Sequence, residues 1–225
     1  QDTMKTALTT LIAILLLAAC GGTPPPADWK MNAVSSLEHA QQRWLEGDSK
    51  AAEPALVKVR SEIAKSGRLD LLARAELAAC AARIASLDFS PCTGYDKVAN
   101  DAGSADQAYA RFLNGDWNGL DAAALPAHYA DVLGAKDAAS ASRAVADIKE
   151  PLPRLIAAAL LLRIERATPE TLALALETAS ERGWRRPLLA WLQVTRQRAV
   201  ASGDTAAAAL LQRRVDFVLD QMATP

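Results

Sequence analysis

The chain has only two histidines among 225 residues, and 5% of it is aromatic. It contains no G-x-S-x-G elbow, no S-x-x-K, no H-E-x-x-H and no glycine loop able to cradle phosphate. Histidine-based nucleophilic sites and histidine-rich metal centres are therefore poorly served. A formal net charge of −1 gives no basis for binding nucleic acid. Period-two alternation of β-branched residues is almost absent, while alanine and leucine dominate. That combination predicts an all-α protein, and the turn pattern described below makes it one of antiparallel helical hairpins, in a repeat array or an irregular helical bundle.

Three cysteines are present. The first stands at the end of Leu17-Ala18-Ala19-Cys20, after a charged start at Met4-Lys5 and an apolar run over residues 7–19. That run is shorter than the roughly 20 apolar residues a spanning helix needs, and charge, apolar middle and small residues before a cut form the pattern of an export signal. Because the small residues end on a cysteine, the stretch resembles the lipobox of bacterial lipoproteins. The resemblance implies removal of residues 1–19, with 1–3 lying upstream of the initiator, and lipidation (palmitate included) of Cys20. Gly21 rather than Asp at the next position implies sorting to the outer membrane, facing the periplasm.

Gly21-Gly22-Thr23-Pro24-Pro25-Pro26 reads as part of a tether over 20–32, the prolines stiffening it into an extended conformation. Residues 33–225 are long enough for a single domain. With Cys20 committed to lipid, Cys80 and Cys92 are expected to form a disulfide in an oxidising compartment, closing a loop worth roughly 3 kcal/mol. No CxxC spacing supports a redox or metal role, and no metal or cofactor is expected.

Helix punctuation is readable in several places. Ser35–Glu38 and Ser104–Gln107 match capping boxes, and Thr168-Pro169 gives an N-cap followed by proline at the first helical position. Gly67, Gly183 and Gly203 follow apolar periodic segments, where left-handed C-terminal caps are expected. Leu211, Val215, Val218 and Met222 share one face of the last helix. The preceding helix offers Leu188, Trp191, Leu192, Thr195 and Ala199, so the two should form a hairpin with Asp204 capping the entry.

A Gly-Asp turn recurs at 47–48, 115–116 and 203–204, the first two twice a 34-residue period apart. With Ala52, Leu56 and Val59 at matching helix positions, the chain resembles tetratricopeptide repeats over 33–66 and 185–222. The resemblance implies stacked helical pairs forming a groove for protein segments. Pro54 inside the second helix and Pro126 in the middle unit depart from the pattern.

Charge is uneven: nine aspartates face four basic residues over 88–147, whereas ten arginines and no lysine follow Pro151. Either both surfaces are solvated or the arginine-bearing end docks on an anionic partner. Trp44 and Trp191 fall on apolar helix faces and should be core. Trp117 in an acidic turn, and Trp184 followed by Arg185 and Arg186, are candidate partner contacts, since Trp and Arg are favoured at interface hot spots. His39, His128 and the Glu177/Glu181 pair fit solvated helix positions.

The functional expectation is a non-catalytic envelope adaptor or scaffold that binds another periplasmic or membrane protein. An envelope enzyme acting on cell-wall material through Asp116 or Glu177 is one alternative. A small-ligand carrier, with a cavity between the Leu188–Trp191 and Leu211–Met222 faces, is the other.

Overall fold

The structure is a computed structural model that describes residues 27–223. The export signal, Cys20 and the tether segment 21–26 lie outside the described residues, as does the side chain of Met222. Eleven α-helices and no strand occur among the described residues, so the chain is all-α. They are α1 Asp28–Glu46, α2 Ser49–Ala64, α3 Leu69–Ala85, α4 Thr93–Asp96, α5 Ser104–Leu113, α6 Ala130–Gly134, α7 Ala138–Asp147, α8 Pro151–Arg163, α9 Pro169–Glu181, α10 Arg185–Ala201 and α11 Thr205–Ala223.

At the centre stands α8. Every residue from Leu155 to Leu161 is buried, as expected of a helix that is apolar all round. It packs against α3, α7 and α9. The α1–α2 pair lies on α3, with a small separate core of Ala33, Val59, Ile63 and Ala75. α10 rests on both α9 and α1, and α11 pairs with α10.

The hairpins at 33–66 and 185–222 form through the same turn. Gly47 and Gly203 adopt φ of 91° and 77°, which costs a glycine nothing. The next amide folds back five residues, Asp48 to Arg43 O at 2.9 Å and Asp204 to Ala199 O at 2.9 Å. Each aspartate then caps the following helix, accepting from Ala51 N at 3.0 Å and Ala207 N at 2.9 Å. Leu211 and Val215 are buried against α10, where Trp191 and Leu192 are buried too. Gly67 and Gly183 take φ of 65° beyond their helices, and Thr168 caps α9 through a reciprocal box with Thr171.

Three expectations are corrected. The middle Gly-Asp pair does not join two helices: Asp116 bonds to Arg111 Nε at 2.8 Å, Gly119 turns left-handed, and 3-10 turns follow at Ala122–Ala124 and Ala127–Tyr129. Ser35–Glu38 is not a helix start, because α1 already begins at Asp28 and Ser35 bonds back to Asn32 O at 3.2 Å. Helical structure thus reaches into the 20–32 stretch read as tether. Ser104 is the first residue of α5 rather than its cap, and Gln107 reaches Ala102 O at 3.0 Å instead of the cap amide.

Candidate functional site

A cleft of about 290 Å³ opens between the first three helices. Trp44 and Gln41 come from α1, Leu56, Arg60 and Glu53 from α2, and Glu76, Ala79 and Arg83 from α3; Asp88 and residues 92–94 close one side. Small residues create the space: Ala40, Ala52, Ala79 and Ala82 bring four methyl groups where larger side chains would fill it. Gln41 Nε2 donates to Ala78 O at 2.9 Å and so ties α1 to α3 beside the opening.

Apart from Glu53, the charged groups of the lining are hydrogen-bonded within the chain. Glu76, 7% exposed, receives Arg60 Nε at 2.6 Å and Nη2 at 3.1 Å. That bidentate pair raises the Arg60 pKa above its ordinary value. Gly94 belongs to the same arrangement, because a methyl group there would overlap the Glu76 carboxylate. Arg83 Nη2 donates to Pro91 O at 3.0 Å, and Asp88 accepts from Ser90 N at 3.0 Å. Burial acts to raise the Asp88 pKa. The bonds from Ser90 and the charges of Arg83 and Arg186 outweigh it and hold the carboxyl below its usual value.

Cys80 and Cys92 are disulfide-bonded, their Cα atoms 5.7 Å apart, and both border the cleft. The bond ties the start of α4 to α3 as the cysteine spacing predicts. It therefore fixes the loop that carries Asp88.

The tryptophans and arginines singled out in the sequence are engaged within the fold. Trp184 is buried, its Nε1 donating to Gln42 Oε1 at 3.3 Å. Arg185 is exposed but donates to Glu46 O at 3.0 Å. Arg186 donates to Trp44 O and to Ser49 Oγ at 2.7 and 2.6 Å, and its guanidinium lies over the Trp44 ring. These three residues thus gather at the α1–α2 turn. Trp117 belongs to a different cluster, stacked on Phe112 at 5.1 Å with Nε1 on the Phe112 carbonyl at 2.9 Å.

The carboxylates considered for catalysis lie on the surface. Glu177 is exposed, and Asp116 is exposed with its pKa held down chiefly by the Arg111 hydrogen bond. His39 is exposed, and His128 packs edge-on against Tyr129 at 4.1 Å, where desolvation lowers its pKa.

Sequence reasoning missed the cleft, whose lining comes from positions up to 54 residues apart in four segments. Only the disulfide pointed towards it. Among the described residues, no group of three or more potential metal ligands is present, and no helix is long and apolar enough to cross a membrane. No protein-family model, curated protein sequence or solved structure matches the chain.

Proposed function

We propose that this protein is an envelope lipoprotein, anchored through Cys20 to the periplasmic face of the outer membrane, that acts as a non-catalytic adaptor. Its helical domain holds a segment of another envelope protein. The lipobox-like Leu17–Cys20 supports the location, and the Cys80–Cys92 disulfide is in keeping with an oxidising compartment. The observation that carries the adaptor reading is the α1–α3 cleft, which is open and partly apolar, and whose lining charges other than Glu53 already have partners in the chain.

This changes where the contact is sought. Trp184, Arg185 and Arg186 hold α10 to the α1–α2 turn, so a partner reaching them would meet groups already in use. Trp117 remains half-buried. The cleft is the better seat for a protein segment.

The test is a photo-crosslinking residue at position 93, an exposed position of the cleft lining, in cells producing the wild type or Cys20→Ala. One dominant envelope protein crosslinked in the wild type and lost in the variant is expected. Metabolic labelling with palmitate should likewise disappear in Cys20→Ala. Labelling that survives the substitution overturns the anchor, and the absence of any reproducible crosslinked protein overturns the adaptor reading.

A further inference from the structure

The geometry points to a specific occupant for the α1–α3 cleft: an extended peptide that inserts one uncharged aliphatic side chain and carries a basic residue beside it. This rests on the adaptor reading and names the chemistry of the segment held. Three observations lead there.

The first is size. At about 290 Å³ the cleft lies at the lower end of ligand pockets, which run from roughly 300 to 1,000 Å³ for drug-sized molecules. It suits one side chain with its flanking amides. The second is the apolar interior. Trp44, Leu56 and the methyls of Ala79 and Ala82 supply contact surface, and burying a leucine-sized group against such surface is worth roughly 1.5–3 kcal/mol before association costs.

The third is charge. Glu76 is neutralised by Arg60, and Asp88 feels the charges of Arg83 and Arg186. A charged side chain entering the interior would compete with these interactions. Glu53 is different: it is exposed at the mouth and shares the charge of Arg60, whose hydrogen bonds go to Glu76. The two carboxylates thus leave one negative charge unmatched by that guanidinium. A cation next to the inserted side chain would find its counter-charge there. An acidic neighbour would meet like charge.

The experiment titrates the isotope-labelled full chain with three dipeptide probes and follows backbone amide shifts by NMR. The probes are N-acetyl-Leu-Lys-amide, N-acetyl-Leu-Glu-amide and N-acetyl-Gly-Lys-amide. The Leu-Lys probe should shift amides of residues 79–83 and 92–94 with low-millimolar affinity. The Leu-Glu probe should bind the same place roughly threefold more weakly, and Gly-Lys should leave these amides unmoved. Ala79→Leu fills a half-buried position in the lining and should abolish the shifts. Glu53→Gln, on the exposed mouth, should erase the difference between the Lys and Glu probes while retaining binding.

No shift of the cleft amides, equal binding of Gly-Lys and Leu-Lys, or unchanged binding in Ala79→Leu overturns the proposal. A Lys preference that survives Glu53→Gln overturns the assignment of the basic neighbour. Probe binding without a crosslinked envelope protein would instead sink the adaptor role and leave the cleft chemistry standing.

Discussion

Arg186 lies over the Trp44 ring, 3.9 Å from its centroid, and donates through Nε to the carbonyl of the same residue at 2.7 Å. One side chain on α10 thus covers the aromatic face at the end of α1 and gives a second hydrogen bond to a helix-terminal carbonyl that also accepts from Gly47 N at 3.0 Å. Its Nη2 reaches Ser49 Oγ at 2.6 Å, the first residue of α2. Three helices meet at a single guanidinium.

Arg186→Ala should therefore destabilise the protein by about 2–4 kcal/mol, losing a cation–π contact and hydrogen bonds from a charged donor. Arg186→Lys should recover less than half of that, because an ammonium cannot stack flat and donate in two directions at once. Arg185→Ala should cost less than about 1 kcal/mol, since Arg185 is exposed and makes a single bond to Glu46 O. Urea unfolding followed by circular dichroism would measure all three. Equal losses for Arg185→Ala and Arg186→Ala would refute the asymmetry.

The same use of arginine recurs. Arg154, Arg163, Arg166 and Arg198 also donate to backbone carbonyls, at Ile148, Leu113, Ala135 and Ala167. With Arg185 and Arg186, six of the ten arginines after Pro151 fasten helix ends and loops. The arginine excess of this half is thus largely architectural. A five-donor planar fork explains why lysine does not substitute.

Two tryptophans read alike in the sequence differ in one atom. Trp191 is fully buried and its Nε1 donates to Ala85 O at 3.2 Å, whereas Trp44 Nε1 is buried without a partner. Trp191→Phe leaves that carbonyl unmet and opens space, and should cost about 2–3 kcal/mol. Trp44→Phe removes an unsatisfied donor while keeping a ring beneath Arg186, and should fall within about 1 kcal/mol of the wild type. Thermal denaturation distinguishes them; a Trp44→Phe loss matching that of Trp191→Phe would refute the argument.

Gly94 and Glu76 form a further testable pair. A methyl group at position 94 would overlap the Glu76 carboxylate and push it off Arg60. Gly94→Ala should cost about 1–3 kcal/mol, the penalty of disturbing a buried charge-assisted pair. Glu76→Gln should have a comparable effect. Because both act on one interaction, the double variant should be less destabilised than the sum of the two by at least about 0.5 kcal/mol. Additive losses in chemical denaturation would show that Gly94 matters for another reason.

Local chemistry made much of this fold legible. Gly47-Asp48 and Gly203-Asp204 announced their hairpins because a left-handed residue and an N-cap are short-range requirements. Thr168-Pro169 was readable for the same reason. Ser35–Glu38 misled because serine within a helix can bond back to a carbonyl, as Ser35 does to Asn32. The Arg186 clamp spans 142 residues from Trp44, and the cleft depends on alanines from three helices. Neither leaves a pattern in any local window. Trp184 carried the composition of an interface anchor, yet its indole is satisfied by Gln42 inside the fold.

Two helices end without the glycine their geometry favours. Leu87 after α3 and Glu165 after α8 both take φ of 59°, with Asp88 and Arg166 amides folding back to Arg83 O and Leu161 O. This is the turn made by Gly47 and Gly203, but a side chain there carries a steric cost of roughly 1–2 kcal/mol. Leu87 packs against the main core, so replacing it with glycine would trade strain for lost apolar contact. Glu165 is exposed, and its negative charge sits at the unfavourable end of the α8 dipole. Glu165→Gly should therefore raise stability by about 0.5–1 kcal/mol after allowing for the greater entropy of glycine in the unfolded chain. Leu87→Gly should lower it. Calorimetry of the two variants checks the sign in each case, and a Glu165→Gly variant that melts below the wild type would overturn the strain argument.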